Sequence, residues 1–336
     1  MADAPLPLAA KAGPSCQQAG RPWRPLPHEG VNLASGSFGE GDVLGEDYEY
    51  PSPKDIDYFA AHGMNAIRLP VKAKRVLRES SSDLGIVDGL IDHAARRGVT
   101  IVLDLHDYGF TASGGLIGRE EKATQDFAAQ WHGLALRYRN TGNIIFGLMN
   151  EPHEQTPQEW LTGVNAAIAS IRAVGARQQI LVPGTAWDSA WRWSETGNAS
   201  ALAGGIKDPV GNYAFEVHQY LDGSGGGDTT SVVEGSGSLR LVEVTAWARK
   251  NGHRLFLGEF GFASDPESMR EGTALVDYVH ANSDVWDGMT FWAAGPGWGD
   301  YFFSVQPDGI GGLEKKQMTA LTRYLCTQRE SVPAPK

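Results

Sequence analysis

The sequence predicts an α/β chain folded as one domain, an eight-fold alternation of strand and helix closed into a barrel. Three observations carry this reading. Eight short apolar runs alternate with amphipathic helical stretches, the pattern of a parallel β/α architecture. The 336 residues fit one such barrel, whose usual size is about 250 residues with a range beyond 400. No Pro/Ser-rich or charge-run linker divides the chain into two domains.

The strands are expected at Gly30 to Ala34, Asn65 to Leu69, Val99 to Leu105, Ile144 to Asn150, Gln179 to Pro183, Tyr213 to Val217, Arg254 to Gly258 and Met289 to Ala293. Their near-continuous apolar character suits strands buried on both faces. Between them, core-facing residues recur at three- and four-residue spacing: Phe127, Trp131, Leu134 and Tyr138 form one stripe, and Trp160, Val164, Ile168 and Ile171 another. Met318, Leu321 and Leu325 suggest the last helix. These aromatic stripes are expected to pack helix against barrel. Gly98, Gly175 and Gly252 each follow a helical stretch and precede a strand, where a left-handed cap is needed. Eight such units close into a (β/α)8 TIM barrel, whose strand ends converge on one face. The barrel is expected over residues 26–330, preceded by an extended, Ala/Pro-rich segment over residues 1–25.

Composition bounds the partners. A net charge of −11 speaks against nucleic acid, whose phosphates need a basic surface. No apolar run is long enough to span a bilayer, and a monomer is expected. Cys16 and Cys326 stand near opposite ends, which a barrel would bring together; a bridge and two free thiols are both compatible with the sequence. The opening segment lacks a basic start and a long apolar stretch, so it reads as the start of a mature or trimmed chain, with the protein secreted or periplasmic. The Gly/Ser/Thr-rich stretch from Asp222 to Gly237 invites a phosphate-loop reading, but Asp228 stands where a third glycine belongs. It is expected to be a flexible loop on the active-site rim.

Two carboxylates end buried-looking strands: Glu151, in the run from Ile144 to Pro152, and Glu259, in the run from Leu255 to Gly261. Desolvating a carboxylate is expensive, so a chain that does it twice at strand ends is expected to use the pair. Two carboxylates facing one cleft are the working parts of glycosidic bond hydrolysis. Other polar residues gather at the predicted strand ends: Arg68 on strand two, His106 after strand three, Asn150 beside Glu151, and His218 and Tyr220 after strand six, with Trp292 in strand eight. Six strands doing this together point to a working active site.

These residues resemble glycoside hydrolase family 5, and within it the subfamily of bacterial and fungal endo-β-1,4-glucanases usually numbered five. The resemblance runs from about Gly30 to Pro307, on Asn150-Glu151-Pro152, the run from His218 to Gly225, Gly258-Glu259-Phe260 and the run from Trp292 to Tyr301. It implies that Glu151 is the acid/base and Glu259 the nucleophile of a retaining double displacement. A proton donor needs a raised pKa, which burial and a second carboxylate would give Glu151; the nucleophile must stay ionised, with Arg68 and Tyr220 as its donors. Asn150 is implied to reach the sugar 2-hydroxyl and His218 to orient Glu151. His106 would bond sugar hydroxyls or support the nucleophile's side, and Trp292 would be the platform beneath the cleaved sugar. The substrate is expected to lie between the loops carrying Trp187, His218 and Trp298.

The chain departs from the subfamily pattern at three places. Asp107 follows His106 where Asn is usual, placing an extra charge beside the cleft. Val71 to Lys74 lacks an aromatic residue, and Gly297 stands where a Trp is expected. Fewer stacking platforms leave open a hydrolase of mixed-linkage glucan, mannan, xylan or an exopolysaccharide, toward whose acidic forms Lys72 and Lys74 offer a cationic handle. A metal-dependent hydrolase would present a pattern such as His-x-His, which His106-Asp107 with His218 is not, so neither metal nor cofactor is expected. An inactive carbohydrate-binding barrel is disfavoured because both glutamates, Asn150 and Tyr220 are present.

Overall fold

The computed structural model describes residues 25–78, 82–308 and 312–325. Its strands are β1 (His28–Leu33), β2 (Ala66–Val71), β3 (Thr100–Leu105), β4 (Ile144–Gly147), β5 (Ile180–Pro183), β6 (Tyr213–His218), β7 (Leu255–Phe260) and β8 (Trp286–Ala294). They close in sequence order, and every neighbouring pair, β8 with β1 included, is parallel. The helices are α1 (Pro53–Ala61), α2 (Ala73–Val76), α3 (Asp83–Arg97), α4 (Glu121–Tyr138), α5 (Pro157–Ala173), α6 (Asn198–Leu202), α7 (Ser236–Asn251), α8 (Pro266–Ala281) and α9 (Met318–Leu321). The expected (β/α)8 barrel is the fold. Cys16, Cys326 and the segment before residue 25 lie outside the described residues.

Local chemistry sets the helix ends. Ser52 with Asp55 and Thr156 with Glu159 form capping boxes ahead of Pro53 and Pro157, and Asp265 caps α8 ahead of Pro266. Gly98 and Gly252 close α3 and α7 at φ 70°, and Gly175 follows α5 at φ 81°. The two aromatic stripes are buried as expected, and their indoles are satisfied. Trp131 Nε1 donates to the Leu148 carbonyl at 3.1 Å and Trp160 Nε1 to that of Pro183 at 2.8 Å. Among the described residues no helix is long and apolar enough to cross a membrane.

The barrel interior is layered by the two-residue period of its strands. Val102, Ile145, Leu181, Ala214 and Phe256 form a separate apolar cluster that plugs the barrel. Two residues onward along β3 and β6 stand Asp104 and Glu216, both fully buried, and two further on stand His106 and His218. Gly258, the inward position of β7, leaves room for Glu216: a Cβ there would lie 2.1 Å from Glu216 Oε1.

Every strand lies where expected, with ends shifted by up to three residues, and three of these shifts have identifiable causes. β4 ends at Gly147 because the chain turns toward φ 42° at Glu151, although the Asn150 amide still donates to the Leu105 carbonyl at 2.8 Å. β7 runs past Gly258 and includes Glu259, which pairs with His218 across an irregularity in register. β8 begins three residues earlier than Met289, because Trp286 pairs with Leu255 and buries its indole against Thr245.

Candidate active site

Arg68 organises the C-terminal mouth of the barrel. Its fully buried guanidinium donates to Glu216 Oε1 at 2.8 Å, Glu259 Oε1 at 3.0 Å, Asn32 Oδ1 at 3.0 Å and Asn150 Oδ1 at 2.9 Å. Asp104 Oδ1 lies 3.1 Å from the same group. One cation therefore ties β1, β3, the end of β4, β6 and β7 to β2, an arrangement that suits the planar fork of arginine. Asn32 passes the order on, donating to the carbonyls of Gly258 at 2.9 Å and Thr290 at 3.1 Å.

Glu259 receives Arg68 on one oxygen and the Tyr220 hydroxyl, at 2.8 Å, on the other. Burial pushes its carboxyl above the ordinary 4.5, while His218 and Arg68 pull it back. Tyr220 lies flat against Phe303, with ring centres 5.9 Å apart, and Gly227 presses on its ring where any Cβ would lie 2.7 Å away. The Asp222 to Gly237 loop is thus a tied cover over Tyr220. Asp222 accepts the amides of Gly227 and Asp228 at 3.1 and 3.0 Å, so the loop is tied by its own hydrogen bonds.

His218 stands among four carboxylates. Its Nδ1 is 2.8 Å from Glu151 Oε1 and 3.7 Å from Glu259 Oε2, and its Nε2 is 3.6 Å from Glu216 and 3.9 Å from Asp188. Burial opposes its charged form, but Glu259, Glu151 and Glu216 outweigh that and hold the imidazole well above its ordinary value. Burial pushes the Glu216 carboxyl up, but Arg68 and then His218 outweigh it and hold the group below the usual carboxylate range. Among the described residues, Glu151, His218 and Glu259 bring ligand-type atoms within 4.8 Å of one another. In that trio His218 Nδ1 is already engaged by Glu151 Oε1 at 2.8 Å, an arrangement suited to proton handling.

His106 is its neutral counterpart. Burial pushes its pKa down to about 3. Nδ1 faces Asp104 Oδ2 at 2.8 Å and Nε2 faces the Tyr108 hydroxyl at 3.3 Å, which assigns Nδ1–H as the donor. Burial raises Asp104 to about 7, offset in part by Arg68. The His106 ring lies parallel to Trp292 with centres 5.7 Å apart, and Trp292 and Trp298 meet edge to face with centres 5.5 Å apart.

The structure thus brings Arg68, His106, Asn150, Glu151, His218, Tyr220, Glu259 and Trp292 together. It does not bring Asp107, Trp187 or Trp298 onto the carboxylates. Asp107 turns away and accepts the Ala73 amide at 2.8 Å at the start of α2, so its expected role as a charge beside the cleft is corrected to an anchor. Trp298 lies against Tyr301, Phe38 and Trp292, and its indole donates to the Ala294 carbonyl at 2.9 Å. Trp187, 52 % exposed, stacks on His153 at 4.6 Å on the rim. Lys74 bonds the Glu40 carbonyl and pairs with Asp42, which engages that expected cationic handle, while Lys72 sits 5.3 Å over the Tyr108 ring.

Sequence reasoning missed Asn32, Asp104, Glu216 and Asp188. Asp104 and Glu216 were findable, because each precedes a strand-end histidine by two residues and must share its face. Asp188 was not. It ends a run, Ala186, Trp187 and Asp188, with φ of 56°, 57° and 55°, which costs on the order of 1–3 kcal/mol per residue.

Burial raises Asp107 to about 6 from an ordinary 3.8. The folded chain therefore holds a proton that the unfolded chain releases across that interval. The stability linked to Asp107 is fully present below 3.8 and is lost as pH rises to about 6. Asp107→Asn keeps an acceptor for Ala73, so its stability relative to the parent is expected to rise between pH 4 and 6.5. Urea midpoints across that range check this; a constant difference would sink it.

A family profile described as Cellulase (glycosyl hydrolase family 5) matches residues 26–296. The chain is 35 % identical over 290 residues to Endoglucanase gh5-1 of Neurospora crassa, covering 83 % of this chain and 72 % of that one. It is 36 % identical over 306 residues to Endo-beta-1,4-glucanase A of Emericella nidulans, covering 86 % and 90 %. The structure of XacCel5A in complex with cellopentaose superposes with a TM-score of 0.83 at 39 % identity, over 89 % of this chain and 99 % of that one. With a closed parallel barrel, a profile match across most of its length and relatives at this identity, the chain belongs to glycoside hydrolase family 5.

Proposed function

We propose that the protein is a retaining endo-β-1,4-glucanase acting on soluble β-glucans, with Glu151 as acid/base and Glu259 as nucleophile. The observation that carries this reading is the approach of a Glu151 oxygen and a Glu259 oxygen to within 4.8 Å. Retaining enzymes hold their carboxyl groups about 5–5.5 Å apart, whereas inverting ones leave about 6.5–9.5 Å for a water. Endo-β-1,4-glucanase relatives and a neighbour holding cellopentaose support the glucan as substrate.

In this mechanism the sugar to be cleaved lies over Trp292. Glu259, ionised and held by Arg68 and Tyr220, attacks the anomeric carbon as the glycosidic bond breaks. The departing oxygen takes the Glu151 proton. Water then attacks the glycosyl ester, giving its proton to Glu151 and releasing Glu259. Asn150 Oδ1 is fixed by Arg68, and its Nδ2 makes no hydrogen bond among the described residues, which leaves it for the sugar 2-hydroxyl. His106 presents its neutral ring beside Trp292 to the same sugar. A polymer too large to enter a cell supports a secreted or periplasmic protein.

Nuclear magnetic resonance of the first product formed from a cello-oligosaccharide is expected to show the β-anomer; an initial α-anomer would overturn retention. Initial rates on barley-type β-glucan, carboxymethylcellulose, mannan and an anionic bacterial polysaccharide test the substrate. The neutral glucan is expected to lead and crystalline cellulose to be poor. The net charge of −11 disfavours anionic chains. A strong preference for mannan or for the anionic polymer would reassign the substrate.

A further inference from the structure

We propose that Asp188 is a positioning residue for Glu151, acting through the Glu151 backbone and through His218. The inference rests on the reading of Glu151 as the acid. Asp188 is fully buried at the end of the left-handed run that follows β5. Its Oδ2 accepts the backbone N–H of Glu151 at 3.3 Å, at the residue whose own φ is 42°. Its backbone carbonyl accepts the His218 amide at 2.8 Å, and its carboxyl lies 3.9 Å from His218 Nε2.

One residue thus grips both partners of the Glu151–His218 contact. It fixes the main chain from which the Glu151 side chain departs. It also fixes the strand end from which His218 reaches Glu151 Oε1. Glu151 leaves its strand early and sits in a backbone region that L-residues avoid, so β4 alone does not hold it there. The charged groups facing the Asp188 carboxyl are Glu151 from the end of β4, Glu216 and His218 from β6 and Arg68 from β2. Asp188 reaches no reacting atom in this arrangement, so its effect on turnover passes through the placement of the Glu151 proton.

The test compares kcat/KM on two substrates that need that proton to different degrees: an unactivated cello-oligosaccharide and a dinitrophenyl β-cellobioside, whose phenolate leaves without protonation. Asp188→Ala is expected to lower the first by about 10–100-fold, the penalty of a misplaced catalytic group, and the second by less than about 3-fold. Asp188→Asn keeps an oxygen for the Glu151 N–H and is expected to recover at least about ten-fold of the alanine loss. Equal losses on both substrates would make Asp188 a merely structural residue and overturn the proposal. So would no loss on either, or an Asp188→Asn variant as poor as Asp188→Ala while folded by its melting curve. Glu151→Gln separates the two readings. If it shows the leaving-group split and Asp188→Ala does not, only the Asp188 inference falls. If Glu151→Gln shows no split, the acid assignment falls and takes the Asp188 inference with it.

Discussion

Glu259→Gln is expected to leave almost no hydrolysis of cello-oligosaccharides, and Glu151→Gln to lower it by about 10²–10⁴-fold, with the fold kept in both. A neutral amide at position 259 has no carboxylate to form the glycosyl ester, while its oxygen can still accept from Arg68 or Tyr220. At position 151 the amide keeps shape but has no acidic proton for the leaving oxygen. The two roles separate in added azide, used with variants cut back to Gly to make room. Without Glu259 the anion attacks the sugar directly and gives the inverted glycosyl azide. Without Glu151 it attacks the covalent intermediate and gives the retained one. Product analysis checks both, and a wild-type rate for either amide variant would end the assignment.

Arg68→Met is expected to destabilise the barrel by about 3–5 kcal/mol, the usual consequence of removing one partner from a buried ion pair. The guanidinium faces Asp104, Glu216 and Glu259, and the first two are fully buried. Methionine fills part of the volume and leaves those carboxylates to His218 or to protonation. The variant is also expected to lose most activity, since Glu259 and Asn150 lose the donor that orders them. Urea denaturation at neutral pH measures the first effect, and a change below about 1 kcal/mol would show that the cluster is held by something other than Arg68.

Much of this was readable from residue order. Apolar runs at the right spacing, Gly98, Gly175 and Gly252 at helix ends, and the paired Trp131 and Trp160 stripes fix a β/α alternation, because period and caps are properties of neighbouring residues. The same locality shows that Arg68, Glu151, His218 and Glu259 stand at strand ends. It also fixes their face, since residues two apart on a strand point the same way.

What tertiary structure decided is which of these groups meet, and in what state of charge. Arg68 ends up bonded to groups from five other strands or strand ends, and no local pattern counts carboxylates around a guanidinium. Asp107, read as a charge at the cleft, spends its carboxyl on the Ala73 amide, because the turn after β3 points it toward α2. Asp188, unremarked in Trp187-Asp188-Ser189, comes beneath Glu151 through three left-handed residues that only the surrounding packing can hold. Sequence determined the alternation and the inward face, because both follow from adjacent side chains. Barrel closure decided the distances and the proton positions, because both depend on how far β2, β4, β6 and β7 are brought into one low-dielectric mouth.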